Sequence, residues 1–520
     1  MAHRPLQISR WIGGAAAASI LALTFGSLAA VAWRAEPGAG LTAADWAAVR
    51  FTLIQAFLSA LLSTALAIPT VRALARRQFR GRAALITLLG APFILPVIVA
   101  VLGLISVFGR NGIVASALAT IGLPPIPIFG LHGVVLAHVF FNLPLATRLI
   151  LQAWLAIPSE RFRLAASLGA SPSDTARLLE WPMLRATVPG AFMVIFLICM
   201  TSFAVALTLG GGPKATTVEL AIYQAFRFDF DLARAASLAC VQFALAAIAV
   251  ALAFRVAKPA AMGAGLDRTP MRWDATSPAL KAQDTALLIL VTLFLATPLA
   301  MIALNGAPRL FDLPPQVYSA ALRSTLVALT SAILCLALAF PMALLIARLA
   351  KGSAWIEGIG YLSIAASPLV IGTGLFILIF PFADPVSLAL PLTALVNAVM
   401  SLPFALRALT PEVRRVEQDF GPLADSLSLT GLSRLRLLWL PRLRRPLGFS
   451  AGLAAALSMG DLGVIALFAD PEAATLPLSL YRLMAAYRME EAAGAALLLL
   501  TLSLTLFWLF DRGGRANADI

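Results

Sequence analysis

The chain has 520 residues, 60% of them hydrophobic and only 12% charged, with a net charge of +14. A soluble domain carries about twice that share of charge, so a soluble enzyme is excluded, and a β-barrel would show ~10-residue alternating segments instead. In chain order, apolar runs long enough to cross ~30 Å of hydrocarbon fall at 12–33, 51–71, 84–108, 131–154, 187–209, 235–254, 285–304, 324–346, 355–382, 387–407, 446–468 and 491–510. The expected fold class is all-α: a polytopic membrane protein of twelve transmembrane helices embedded in a lipid bilayer. The first run follows Arg4 and Arg10 as a signal peptide would. It is too long for such a segment, and Ala35-Glu36-Pro37 is a poor cleavage site, so it reads as a retained helix.

Where the cations sit decides what the charge means. With the N-terminus in the cytoplasm, ten of the 39 Lys and Arg fall outside or at the outer rim, among them Arg110, Lys214, Arg227 and Arg482. The rest fall inside, which is the positive-inside bias. The basic charge therefore reports topology, and no nucleic-acid partner is expected. The C-terminus also lies in the cytoplasm on this count. Cys199, Cys240 and Cys335 all stand in apolar runs with no ligand spacing among them and read as small core residues.

The stretch 258–284 is rich in Pro, Gly and charge and reads as a cytoplasmic linker between halves at 1–257 and 285–520. The halves repeat one another. At an offset of 259, Pro144 meets Pro403, Arg148 meets Arg407 and Arg177-Leu178-Leu179 meets Arg436-Leu437-Leu438; residues 138–185 hold 14 identities in 48 positions. The best matches lie in the polar loops, where apolar composition forces nothing. Six spans per copy give the copies the same orientation, a known transporter plan.

Those loops, 155–186 and 408–445, are expected on the cytoplasmic side. In the first, Ser159 is placed to cap a helix over Glu160–Leu168, and Gly169 to stop it in the left-handed conformation. Ser171, Pro172 and Asp174 open a second short helix ending near Pro182. Leu164, Ala165 and Leu168 share a face. A short helix with such a face suits docking of a partner, and a pair of them suits a two-fold partner.

The loop resembles the Glu-Ala-Ala loop of permease subunits of ATP-binding-cassette importers, with Ala165, Gly169 and Pro182 on the pattern and Arg163 and Leu164 at the Glu and first Ala. The second copy keeps Ala424 and Pro441, with Pro422, Leu423 and Ser428 at the Glu, first-Ala and Gly positions and Leu427 matching Leu168. The stretches FTLIQAFLSALLSTALAIP (51–69), FILPVIVAVLGLISVFGR (93–110) and LGGGPKATTVELAIYQAF (209–226) are similar to fused two-half permeases of thiamine importers. Fused permeases for ferric iron share the architecture.

The resemblance implies a transport subunit of the bacterial inner membrane that does no bond chemistry itself. It also implies two copies of an ATP-binding subunit docked on the loops, and a periplasmic thiamine-binding protein. A carrier driven by an ion gradient is the reading from another class. The phosphate-binding loop Gly-x-x-x-x-Gly-Lys-Ser/Thr does not occur in the chain, so ATP hydrolysis falls to another subunit and no cofactor is expected.

Gly210, Gly211, Gly212 and Pro213 read as an outer turn facing a binding protein or the pathway mouth. His132 and His138 lack a third ligand and do not make a zinc site. Glu219, Asp229 and Asp231 read as a solvated outer face. Mid-span charge is scarce apart from Asp461, and ion-coupled carriers place such groups there. Asp461, after Ser458-Met459-Gly460, is therefore the candidate pathway group.

Overall fold

The structure, a computed structural model, describes residues 7–35, 41–90, 94–210, 212–256, 276–349, 352–468 and 473–515. Its first set of helices is α1 (Gln7–Arg34), α2 (Ala43–Arg76), α3 (Arg82–Leu88), α4 (Val97–Phe108), α5 (Ile113–Thr120), α6 (Leu131–Leu155), α7 (Ser159–Ser167), α8 (Pro172–Thr175), α9 (Trp181–Met200), α10 (Ala204–Leu209), α11 (Val218–Arg227) and α12 (Leu232–Val256). The second set is α13 (Pro278–Gly306), α14 (Pro315–Arg348), α15 (Ser353–Ala365), α16 (Pro368–Ile379), α17 (Ala389–Ser426), α18 (Gly431–Arg434), α19 (Leu440–Met459), α20 (Gly463–Phe468), α21 (Leu476–Ala485) and α22 (Met489–Arg515).

Among the described residues eleven helices are long and apolar enough to cross a membrane. A twelfth is made if α15 and α16, bent by 85° at their junction, count as one span. The run 84–108 is not one continuous span: α3 and α4 are separate, and Pro96 caps α4. The residue before a proline is pushed out of the helical region, so the run breaks there. The runs 187–209 and 446–468 also break, at 201–203 and at 460–462. Of the expected linker, 257–275 lies outside the described residues. Residues 278–284 already belong to α13, which opens with Pro278 at its first position after Ser277.

The sets are tied together by an exchange of their first helices. α1 packs against α14 and α16 of the second set, while α13 packs against α4 and α2 of the first. The approach is close enough to need glycine. A Cβ on Gly374 would lie 2.4 Å from the Ser27 carbonyl oxygen, and one on Gly103 2.7 Å from that of Pro298. Small residues that let backbones touch are the usual means of joining helices where the hydrophobic effect is absent.

Each set also buries a matching polar group of residues. In the first, His138 Nδ1 lies 3.2 Å from Ser59 Oγ and Asn142 donates to Cys199 Sγ at 3.3 Å. In the second, Asn397 donates to Ser458 at 3.1 Å and Ser458 to Ser331 at 3.0 Å. The expected thiols Cys199 and Cys335 are buried. No cluster able to hold a metal occurs among the described residues.

Candidate functional site

Both polar loops lie at one end of the bundle, and each is a helix, a left-handed residue and a tight turn. Gly169, at φ +67°, ends the first helix. Its counterpart Ser428 takes φ +52° without being glycine, a conformation uncommon for a residue with a side chain. Ser171 accepts from the Asp174 backbone N–H at 3.2 Å while the Asp174 carboxylate accepts from the Ser171 N–H at 2.9 Å. This reciprocal pairing satisfies two backbone donors of α8. Ser159 does not cap. Pro158 holds that position, and the Ser159 hydroxyl faces Glu160 and Arg163 instead.

Two further expectations are corrected. The second short helix does not end near Pro182: a π-turn over Ala176–Glu180 runs directly into α9, with Pro182 in its first turn. The ladder is already widened there, the Trp181 N–H donating to the Ala176 carbonyl five residues back, and proline has no N–H to continue it. In the second copy α17 absorbs the docking helix into one rod of 38 residues carrying Pro403, Pro411 and Pro422. The π-turn recurs there over Leu435–Trp439.

Exposure sorts the predicted docking residues. Leu164, Leu168, Leu423 and Leu427 are exposed, at 60%, 76%, 57% and 62%. Arg163 is exposed and pairs with Glu160 at 3.2 Å. Ala165 is half-buried, but Ala424 is 2% exposed and packs inward, so the two alanines do not present equivalent surfaces. Leu178 and Leu437, exposed at 67% and 66%, match across the repeat in sequence but were not among the expected docking residues. Their signal was present, since they are identical residues at the same offset in a polar loop.

Ion pairs centred on a carboxylate brace the first loop against the end of α2 and the second against the end of α14. Glu180 pairs with Arg72 at 3.0 Å and Arg76 at 3.8 Å at the end of α2. In the second copy Trp439 stands where Glu180 would, and the acid has moved to Glu417 on α17. Glu417 pairs with Arg348 at 3.0 Å and Arg434 at 2.9 Å and accepts from Trp439 Nε1 at 2.6 Å. The charge is kept while its position in the repeat is not.

At the opposite end, Gly210 is buried, and a Cβ there would lie 2.4 Å from the Ala206 carbonyl oxygen. It is a packing residue and not part of an exposed turn. Gly212 is exposed at φ +117°, Pro213 opens a short 3-10 turn, and Gly211 lies outside the described residues. Asp229 is exposed, as expected, but Glu219 is fully buried on α11. Asp461 sits in the break between α19 and α20, its Oδ1 accepting from the Gly463 N–H at 3.2 Å.

This architecture, a duplicated bundle with two matched loops at one end and broken helices at the other, defines a membrane permease. Relatives place it further. The chain is 39% identical to the thiamine transport system permease protein ThiP of Brucella abortus, over 98% of this chain and 96% of the relative. It is 38% identical to that of Salmonella typhimurium over 99% of both chains, and 40% identical to that of Escherichia coli over 90% and 89%. No family model matches. The chain belongs to the family of thiamine transport system permease proteins.

Proposed function

We propose that this chain is the fused permease subunit of an ATP-driven importer of the bacterial inner membrane, moving thiamine or its phosphates handed over by a periplasmic binding protein. The halves are 1–257 and 285–520. The observation that carries the ATP-driven reading is the paired leucine triplet: Leu164, Leu168 and Leu178 in one loop, Leu423, Leu427 and Leu437 in the other, all exposed. Six exposed leucines on these charged loops call for a partner, and their repeat spacing calls for two copies of one partner. An ATP-binding subunit dimer meets both demands.

ATP binding closes that dimer and hydrolysis lets it open. The loops follow it because Glu180 and Glu417 brace them to the ends of α2 and α14, and the halves rock to expose the pathway to alternate sides. The test is thiamine uptake by the reconstituted permease, ATP-binding subunit and binding protein. Uptake should require ATP and survive an uncoupler that spares ATP. Uptake by the permease alone, collapsing with the proton gradient, would replace this reading with that of an ion-coupled carrier.

A further inference from the structure

The sequences 217–223 and 475–481 share the pattern Thr-x-x-Leu-x-x-Tyr at an offset of 258. The structure gives both the same role. The backbone N–H after the threonine donates to a hydroxyl on the second helix of its set, Val218 to Thr52 of α2 at 2.9 Å and Leu476 to Ser324 of α14 at 2.7 Å. Tyr223 and Tyr481 are therefore repeat-related residues, and both line one cavity of about 290 Å³ with Leu207, Leu220 and Phe228. Two equivalent residues can share one small cavity only if it lies on the axis relating the halves. A transport path between two such halves runs along the same axis.

The two helix breaks also meet near this axis. A methyl group on Gly463 would lie 3.6 Å from Asp461 Oδ1 and 3.9 Å from the Phe203 ring, which belongs to the break of the other half. The Phe203 and Tyr223 ring centroids are 5.2 Å apart, edge to face. Asp461 Oδ2 is sealed from solvent and has no hydrogen-bond partner, and Asp461 makes no ion pair among the described residues. The matching position in the first half is Ser202, so the repeated fold does not require a charge there. Arg227 and Arg482 lie near the Tyr223 hydroxyl but are engaged with other groups.

An intramembrane carboxylate with one oxygen sealed and unpaired, and with no cation paired to it among the described residues, is a binding group for a cation. Aromatic faces attract cations as well. We propose that Asp461 and the pair Tyr223 and Tyr481, with Phe203 between them, form the substrate-contacting lane of this permease. It takes an aromatic cation, stacking its rings on the tyrosines and neutralising its positive charge at Asp461. This rests on the thiamine reading, since the thiazolium ring carries a permanent positive charge.

The experiment is subsaturating thiamine uptake by the reconstituted complex with substitutions at these positions. Asp461→Ser, which copies the tolerated Ser202, and Asp461→Asn should each lower uptake about tenfold or more, with co-purification of the ATP-binding subunit unchanged. Asp461→Glu should keep most of it. Tyr223→Phe and Tyr481→Phe should retain uptake, and the corresponding Leu substitutions should lower it about threefold to tenfold. The inference fails if Asp461→Ser transports like the wild type, or if Asp461→Glu falls as far as Asp461→Asn. A wild-type complex that moves no thiamine would instead sink the function reading.

Discussion

At the scale of single residues, burial overrides what composition suggests. Glu219, read in sequence with the acids of an outer loop, is fully enclosed by α11 and its neighbours. Burial pushes its carboxyl from 4.5 up to about 8, although Ser367 and Gln242 lie near enough to pull partly the other way. The native state thus keeps a proton that the unfolded chain releases near 4.5. Stability must fall as pH rises between those values, with the full penalty present above about 8. Glu219→Gln mimics the neutral acid. Its thermal midpoint in detergent should exceed that of the wild type by about 2 °C or more at pH 9, and the gain should vanish near pH 4. A gain independent of pH would show that the carboxyl does not titrate with folding.

At the scale of elements, the docking segments are a short helix in the first copy and the end of the long α17 in the second, and both carry outward leucines. Leu168 and Leu427, the C-terminal caps of α7 and α17, are more exposed than Leu164 and Leu423. Replacing either with Glu should leave the bundle intact, because both side chains already face water. At a packed interface the same charge is buried without a partner. Leu168→Glu and Leu427→Glu should each reduce co-purification of the ATP-binding subunit about tenfold or more, with thermal midpoints within about 1 °C of wild type. Retained assembly with Leu427→Glu would leave the second loop without a docking role. Ala424 could not serve for this test. Being buried, it would report on folding instead of docking.

At the scale of the whole molecule, the exchange of α1 and α13 means that neither half is complete without the other. Alternating access must then occur by rocking around those crossings and not by separation of the halves. The cation bias predicts an orientation, and it can be measured directly. In a Cys240→Ala background, cysteine at Lys214 should react with an impermeant thiol reagent applied from the periplasm, and cysteine at Ser173 should not. Both positions are exposed, so access depends on the side of the membrane alone. Reactivity of Ser173→Cys from the periplasm, with Lys214→Cys silent, would invert the topology.

The sequence by itself determined the membrane class, the duplication, the two matched loops and the left-handed position at Gly169. These are local or periodic properties: apolar length, identity at a constant offset, and turn chemistry within a few residues. It also marked Asp461, because a lone charge in an apolar run is visible without coordinates. Only the tertiary structure decided which loop residues face outward, separating exposed Leu427 from buried Ala424 three residues away. Only it showed that Glu417 takes over from Glu180 across the repeat, since the two acids occupy unrelated positions in the chain and converge on Arg348 and Arg76 by folding. The cavity between Tyr223 and Tyr481 belongs to the same kind. Each tyrosine is one aromatic among many in sequence, and their meeting depends on how two helices distant in the chain cross the axis that relates the halves.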